Sequence, residues 1–222
     1  MVRKFLPWSL NAILFIAVVG VSARNQEVSR VPLISNQTTD PDAQKVFQST
    51  LSRGGYILNL NRMIANAPKL MAPAGAYARA LRYTADDIPR KYRELFIVRT
   101  LQVEGGDYEF ALHTHMATSC GVSQAQIDAL PHWKTSSLFD EKAKAMLAFS
   151  DEMDTREGVS DATYKKFASI FTPRQIVEFT LTGGWYIGHS HESRALHLPI
   201  DDDLVKATKD SGCSASEKSS GF

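Results

Sequence analysis

Cysteine is nearly absent: the 222 residues hold only Cys120 and Cys213, too few for a disulfide framework. An oxidising compartment would permit one bridge between them, and two separate thiols fit the sequence as well. A charge excess is missing too, since 25 Lys+Arg face 24 Asp+Glu for a net charge of +1. Without a basic block there is no electrostatic footprint for nucleic acid, and no nucleic-acid partner is expected. Apolar runs are short. A spanning helix needs roughly 20 apolar residues, whereas the run from Ala12 to Val21 holds ten. It follows Arg3 and Lys4 and precedes the small residues Val21-Ser22-Ala23, the pattern of a secretory signal cleaved after Ala23. An uncleaved signal anchor is the alternative. Once the signal is cleaved, no stable membrane span is expected. The expected location is the secretory pathway, either secreted or in an endomembrane lumen. Asn36-Gln37-Thr38 is a glycosylation sequon on that route.

Period-two alternation bounded by hairpin turns is also missing, which excludes a sheet. Helical spacing is present instead. Residues 24–39 are polar and aperiodic and read as a flexible arm, after a signal at 1–23. Asp40-Pro41 pairs a cap residue with proline at the first helical position. Leu70, Ala74, Tyr77, Ala78 and Leu81 mark a short amphipathic helix, and Asp86-Asp87-Ile88-Pro89 opens the next one. A helix from Asp107 to Cys120 ends at Gly121, where a left-handed residue is wanted. Ser123-x-x-Gln126 and Thr172-Pro173-Arg174-Gln175 are capping-box starts. The reading is an all-α, single domain over residues 40–201 with a mobile C-terminal tail, 202–222.

One segment carries chemistry-bearing residues at a telling spacing: Glu109, Phe110, His113, Ala117 and Gly121. Glu109 and His113 lie one helical turn apart on one face. A carboxylate can orient an imidazole and favour its charged form. The same spacing also describes an ordinary surface ion pair, worth a few tenths of a kcal/mol. The apolar neighbours Phe110, Ala111, Met116 and Ala117 argue that the helix is buried. A buried Glu-His pair is costly unless it lines a cavity. A second histidine group, His189-Ser190-His191, lies two apart on the last long helix, so the two rings point in different directions. The spacing is consistent with one of them facing the cavity, and equally with one exposed histidine and one packed one. Metal ligation by Glu109, His113 and His191 would draw on two helices, and the i,i+2 histidine spacings are not those of a helical zinc pair. No metal and no cofactor is expected.

The pattern Glu-aromatic-x-x-His-x-x-x-Ala-x-x-x-Gly resembles the central helix motif of the carboxymuconolactone decarboxylase family, within the AhpD-like superfamily. Leu58-Asn59-Leu60-Asn61-Arg62 with Ala65-Asn66-Ala67-Pro68, and Arg93-Glu94-Leu95 through Arg99, resemble its upstream segments. Gly184-Trp185-Tyr186 resembles its downstream aromatic pair. The likeness runs from about Gln44 to Asp201 and implies an AhpD-like helical bundle, commonly a homo-oligomer (trimer or hexamer). Peroxide-reducing relatives carry Cys-x-x-Cys ahead of the motif histidine. Here those positions are Gly106 and Glu109, and Cys120 follows His113 instead, so a dithiol cycle is not expected. Where many relatives show an arginine, this chain has His191.

The resemblance implies a cofactor-independent lyase or isomerase acting on a small oxygenated organic acid, lactone or polyketide-like molecule. His113 is the expected general acid/base and Glu109 its orienting partner. His191, with His189 as alternative, is the second proton donor or oxyanion contact. Arg99 meets an acidic substrate group or pairs with Glu94 or Glu104. Trp185 and Tyr186 lie near the pocket or serve as core aromatics. The alternatives are a divergent peroxidase or metal-dependent redox enzyme, and a non-catalytic ligand-binding or assembly protein.

Overall fold

A computed structural model describes residues 28–83, 88–209 and 213, and the expected signal at 1–23 lies outside the described residues. Among these residues ten α-helices follow in chain order. They are α1 (Pro41–Leu51), α2 (Asn59–Ile64), α3 (Met71–Tyr83), α4 (Arg90–Glu104) and α5 (Asp107–Ser119), then α6 (Gln124–Ala129), α7 (Glu141–Met153), α8 (Asp161–Ala168), α9 (Pro173–Leu196) and α10 (Leu204–Thr208). Among the described residues there is no strand. None of the described helices is long and apolar enough to cross a membrane.

The starts follow the expected chemistry. Asp40 accepts from the backbone of Asp42 and Ala43, with Pro41 at the first position of α1. Ser123 and Thr172 both form complete capping boxes. Each box satisfies two of the donors that a helix start leaves orphaned. Gly121 closes the turn after α5 with a φ of 92°. The start expected at Asp86-Asp87 falls partly outside the described residues, and α4 itself begins at Arg90 after Pro89.

The centre of the bundle is α4, which packs against α5, α7 and α9. Leu95, Phe96, Ile97, Val98 and Leu101 are wholly buried on it. Fully burying one such side chain contributes about 1.5–3 kcal/mol. Because α4 is covered on all sides it lacks a single apolar stripe, and Glu94, Arg90 and Arg93 are buried with the rest. Gly183 lets α9 approach closely: a Cβ there would lie 2.6 Å from Met153 Sδ and 3.3 Å from Phe96 Cζ. Gly105, with a φ of 70°, turns the chain directly from α4 into α5.

The described parts of the expected arm and tail, residues 28–39, 202–209 and 213, make contacts with the domain. Arg30 N donates to Leu196 O and Ile34 N to Arg62 O, while Val31 and Leu33 pack beside Tyr108 and Leu112. At the other end α10 packs on α5, where Thr208 Oγ1 lies 2.6 Å from His115 Nδ1. Cys120 and Cys213 form a disulfide, which leaves no free cysteine. Short polar stretches read as loops in the sequence because their contacts are with distant residues.

Candidate active site

A cavity of about 100 Å³ lies between the α2–α3 layer and the α5 and α9 helices. From α5 come Tyr108, Glu109, Leu112, His113 and Met116, and from α9 come Trp185, Tyr186 and His189. Alpha3 contributes Met71, Ala74, Gly75, Ala78 and Arg82, residues three or four apart on one face. The small side chains leave room, and Arg82 stands at the end of that stripe.

Glu109 and His113 both line this cavity, yet they do not pair with each other. His113 Nδ1 lies 2.8 Å from Oε2 of Glu94, which in turn holds Arg90 Nε at 3.1 Å through Oε1. The orienting carboxylate is therefore Glu94, on the adjacent helix, and this corrects the expected Glu109–His113 partnership. Burial pushes the His113 pKa down; the opposing pull of Glu94 does not reverse it, and Arg82 and Arg90 add to the drop. The ring is neutral at neutral pH, Nδ1–H donates to Glu94, and Nε2 keeps its lone pair. Burial alone would raise the Glu94 pKa, but His113 and Arg90 overcome it and hold the carboxyl ionised.

Glu109 sits in a different environment. Burial raises its pKa to about 7, although Ser193 Oγ donates to Oε2 at 2.9 Å and works the other way. Its Oε1 is buried with no hydrogen-bond partner. Glu109 thus keeps its proton up to about neutrality. Two titratable groups one turn apart are driven in opposite directions, which is how a site separates a base from an acid.

Of the other expected residues, Trp185, Tyr186 and His189 line the cavity. Tyr186 meets the His113 ring edge-on at 4.5 Å, and Trp185 meets His189 likewise at 4.2 Å. His189 Nδ1 is held by Glu192 Oε2 at 2.6 Å. His191 does not reach the cavity: its half-exposed ring contacts Glu104 Oε2 at 3.2 Å on the outer face of α9. Being two residues from His189, it points away. The trio Glu109, His113 and His191 therefore shares no metal site. His191 instead joins Glu104 and Asp154, whose ligand atoms lie within 4.8 Å of one another, while Arg194 Nη2 also contacts Glu104 Oε2 at 3.4 Å. Arg99 also lies elsewhere, held by Asp151, Gln102 and the Leu130 carbonyl. It is neither at the cavity nor paired with Glu94 or Glu104.

Three contributors escaped the sequence reading. Glu94 entered the sequence reading only through a resemblance and as a candidate partner of Arg99, because its actual partner lies 19 residues away on another helix. Arg82 had one available signal, a charged residue continuing the Ala74, Gly75, Ala78 stripe. Ser193 lies one turn beyond His189 on α9, the spacing at which it meets the same neighbours. The Cys-x-x-Cys positions hold Gly106 and Glu109, and a Cβ at Gly106 would lie 2.2 Å from Ser190 Oγ.

Residues 68–152 match the model of the Carboxymuconolactone decarboxylase family. The chain carries a carboxymuconolactone decarboxylase-like core. That segment contains α3, α4, α5 and the whole Arg82–Glu94–Glu109–His113 constellation. Among solved structures, a peroxidase-related protein with an alkylhydroperoxidase AhpD core from Ralstonia eutropha JMP134 superposes with a TM-score of 0.67. Its identity is 13%, covering 80% of this chain and 95% of that one. The debrominase Bmp8, as a cysteine-to-alanine variant with 2,3,4-tribromopyrrole, gives a TM-score of 0.66. Its identity is 19%, covering 83% and 99% of the two chains. An Agrobacterium tumefaciens protein of unknown function, named for AhpD, gives 0.59 at 15% identity over 64% and 97%. These likenesses show an AhpD-like fold around the decarboxylase-like core. No curated protein matches the chain.

Proposed function

We propose that this carboxymuconolactone decarboxylase-like chain is a cofactor-independent lyase or isomerase that moves protons on a small oxygenated organic acid, lactone or polyketide-like molecule. The observation that carries the reading is the pair on α5. A neutral His113, held by Glu94, and a Glu109 with a pKa of about 7 border one cavity. In a decarboxylation the C–CO2 bond breaks, its electron pair enters a neighbouring carbonyl, and Glu109 returns a proton to the carbon. In an isomerisation His113 removes a proton at Nε2 and Glu109 supplies one at the second atom. The positive charge of Arg82 lies where it favours the enolate oxygen of either route. His189 takes the role of further polar contact that His191 is too far away to fill. The 2,3,4-tribromopyrrole complex of the Bmp8 fold relative supports a small cyclic occupant. The pairing of both cysteines with one another supports a thiol-independent reaction.

The same proposal includes secretory routing with a glycan on Asn36, which lies exposed in a turn. It includes a homo-oligomer (trimer or hexamer), supported by the exposed Val177 and Leu181 one turn apart on α9. Metabolite mass spectrometry with wild-type, His113→Ala and Glu109→Gln protein tests the reaction. Loss of carbon dioxide or an isobaric shift with wild type alone supports the reading. Folded variants that retain full turnover overturn it.

A further inference from the structure

The cavity adjoins a second, larger recess of about 670 Å³ on the far side of α3. The two share Asn61, Met71, Gly75 and Arg82 as lining residues. Their chemistry differs. The inner cavity is walled mainly by apolar and aromatic side chains. Among the described residues the outer recess is bordered by Lys45 of α1, Arg53 just beyond the end of that helix, Lys69, and Arg79 and Arg82 of α3, against a single carboxylate, Asp42. In a chain whose charges almost cancel overall, five cations against one anion among the described residues of a single recess is a local concentration of positive potential. Arg53 donates to the Ser49 hydroxyl, a neutral partner. Concave walls focus such a potential and raise the local concentration of anions.

Gly75 makes the connection specific. It lies within α3, where glycine costs about 1 kcal/mol relative to alanine. Nothing lies within 4 Å of a Cβ placed there, so close packing does not require glycine at this position. Both recesses border it, and its missing side chain keeps the wall between them low.

Building on the proton-transfer reading, we infer that the substrate is an elongated acid. Its cyclic, reactive head lies in the inner cavity beside Glu109 and His113. A tail ending in a carboxylate or another anionic group crosses at Gly75 and ends on Lys45, Lys69 and Arg79. Recognition of the tail is electrostatic and separate from the chemistry, so an acid lacking the tail binds without using these cations.

Calorimetric titration with three probes tests this: 4-phenylbutyrate, which has ring, tail and carboxylate; 4-phenylbutanol, its neutral counterpart; and benzoate, which has no tail. The expected result is that 4-phenylbutyrate binds about tenfold or more tightly than the alcohol, and that added salt shrinks the difference. The combined Lys45→Gln, Lys69→Gln and Arg79→Gln variant abolishes the difference and leaves benzoate unchanged. Gly75→Leu weakens 4-phenylbutyrate more than benzoate, and an unchanged unfolding midpoint in that variant separates blockage from misfolding. Equal affinities for acid and alcohol, binding by neither, or indifference to the charge-removing substitutions overturns the inference. The proton-transfer reading stands or falls separately, because His113→Ala and Glu109→Gln are judged on turnover while these probes are judged on binding.

Discussion

The His113 imidazole and the Glu94 carboxylate meet across the α4–α5 interface at 2.8 Å, both shielded from solvent. Arg90, one turn before Glu94 on α4, reaches the other oxygen of the same carboxylate. The arrangement is a buried cation–anion–imidazole chain, and its far end is the His113 Nε2 that the site needs as a base. Removing one member of a buried ionic group strands the others in a medium that solvates charge poorly. Glu94→Gln retains an acceptor for Nδ1 and loses the negative charge facing Arg90. The expected cost is about 3 kcal/mol, read as a lower urea midpoint with an unchanged slope. An unchanged midpoint would show that Glu94 is not ionised in the folded protein.

Glu109 supplies a pH signature of opposite sign to that of an ordinary salt-bridged carboxylate. Burial raises its folded-state pKa to about 7, above the unfolded value near 4.3. The folded state therefore holds the proton more tightly. The associated stability is fully present below the unfolded pKa and is lost as pH rises towards 7. The loss is about 3 kcal/mol across that window. Glu104, also raised to about 7 by burial and by Asp154, adds a similar slope, so the diagnostic is a difference. Subtracting the Glu109→Gln stability curve from that of wild type should leave a fall between about pH 4.3 and 7. A flat difference would place the Glu109 pKa at its ordinary value.

The same two groups define an activity window. His113, lowered by burial, becomes a usable base once the pH exceeds its depressed pKa. Glu109 ceases to be a donor as pH rises through about 7. The pH profile of kcat/KM should fall on its alkaline side near neutrality, and the small residual turnover of Glu109→Gln should lack that limb. Retention of the limb in the variant would assign it to another group.

How much of this was legible depends on where a residue's partner lies in the chain. Caps at Asp40, Ser123 and Thr172 act on residues two or three positions away, so spacing alone reveals them. The Glu109–His113 turn was legible for the same reason, as two residues on one face. Its electrostatics were not, because Glu94 and Ser193 arrive from other helices. Along α4, burial on every side erases the periodicity that would have set Glu94 apart. Arg99, read as facing either substrate or carboxylate, finds Asp151 from α7, a pairing no local pattern encodes. His189 and His191 divide between cavity and surface through the rotation of α9, which is set by packing at Gly183 and Tyr186 rather than by the His-Ser-His motif.

The disulfide offers a stability test that leaves the cavity untouched. Cys120 and Cys213 lie 93 residues apart in sequence, a loop whose closure entropy corresponds to about 4–5 kcal/mol. Cys213→Ser should lower the unfolding midpoint and loosen α10 from α5, with faster hydrogen exchange at His115 and Thr208. Binding at the cavity should persist below the transition. An unshifted midpoint would mean that α10 is held by its other contacts with α5.

Gly106 and Ser190 decide whether this scaffold can accept a dithiol. A Cβ at Gly106 would stand 2.2 Å from Ser190 Oγ and 2.8 Å from its Cβ, but 3.3 Å from its Cα. Most of the collision is therefore with a side chain that can be removed. Gly106→Ala should destabilise the fold by about 1–3 kcal/mol through overpacking. Ser190→Gly should recover much of that loss in the double variant despite its own helix cost of about 1 kcal/mol. A positive coupling energy in the double-mutant cycle is the expected reading. Additive losses would mean that α9 shifts freely to admit the larger residue. The coupling also bears on chemistry: replacing Gly106 and Glu109 with cysteines would recreate the Cys-x-x-Cys spacing only by pushing α9 outward. Since α9 carries Trp185, Tyr186 and His189, that displacement would open the cavity while installing the thiols. Peroxide turnover in this variant should therefore require Ser190→Gly as well.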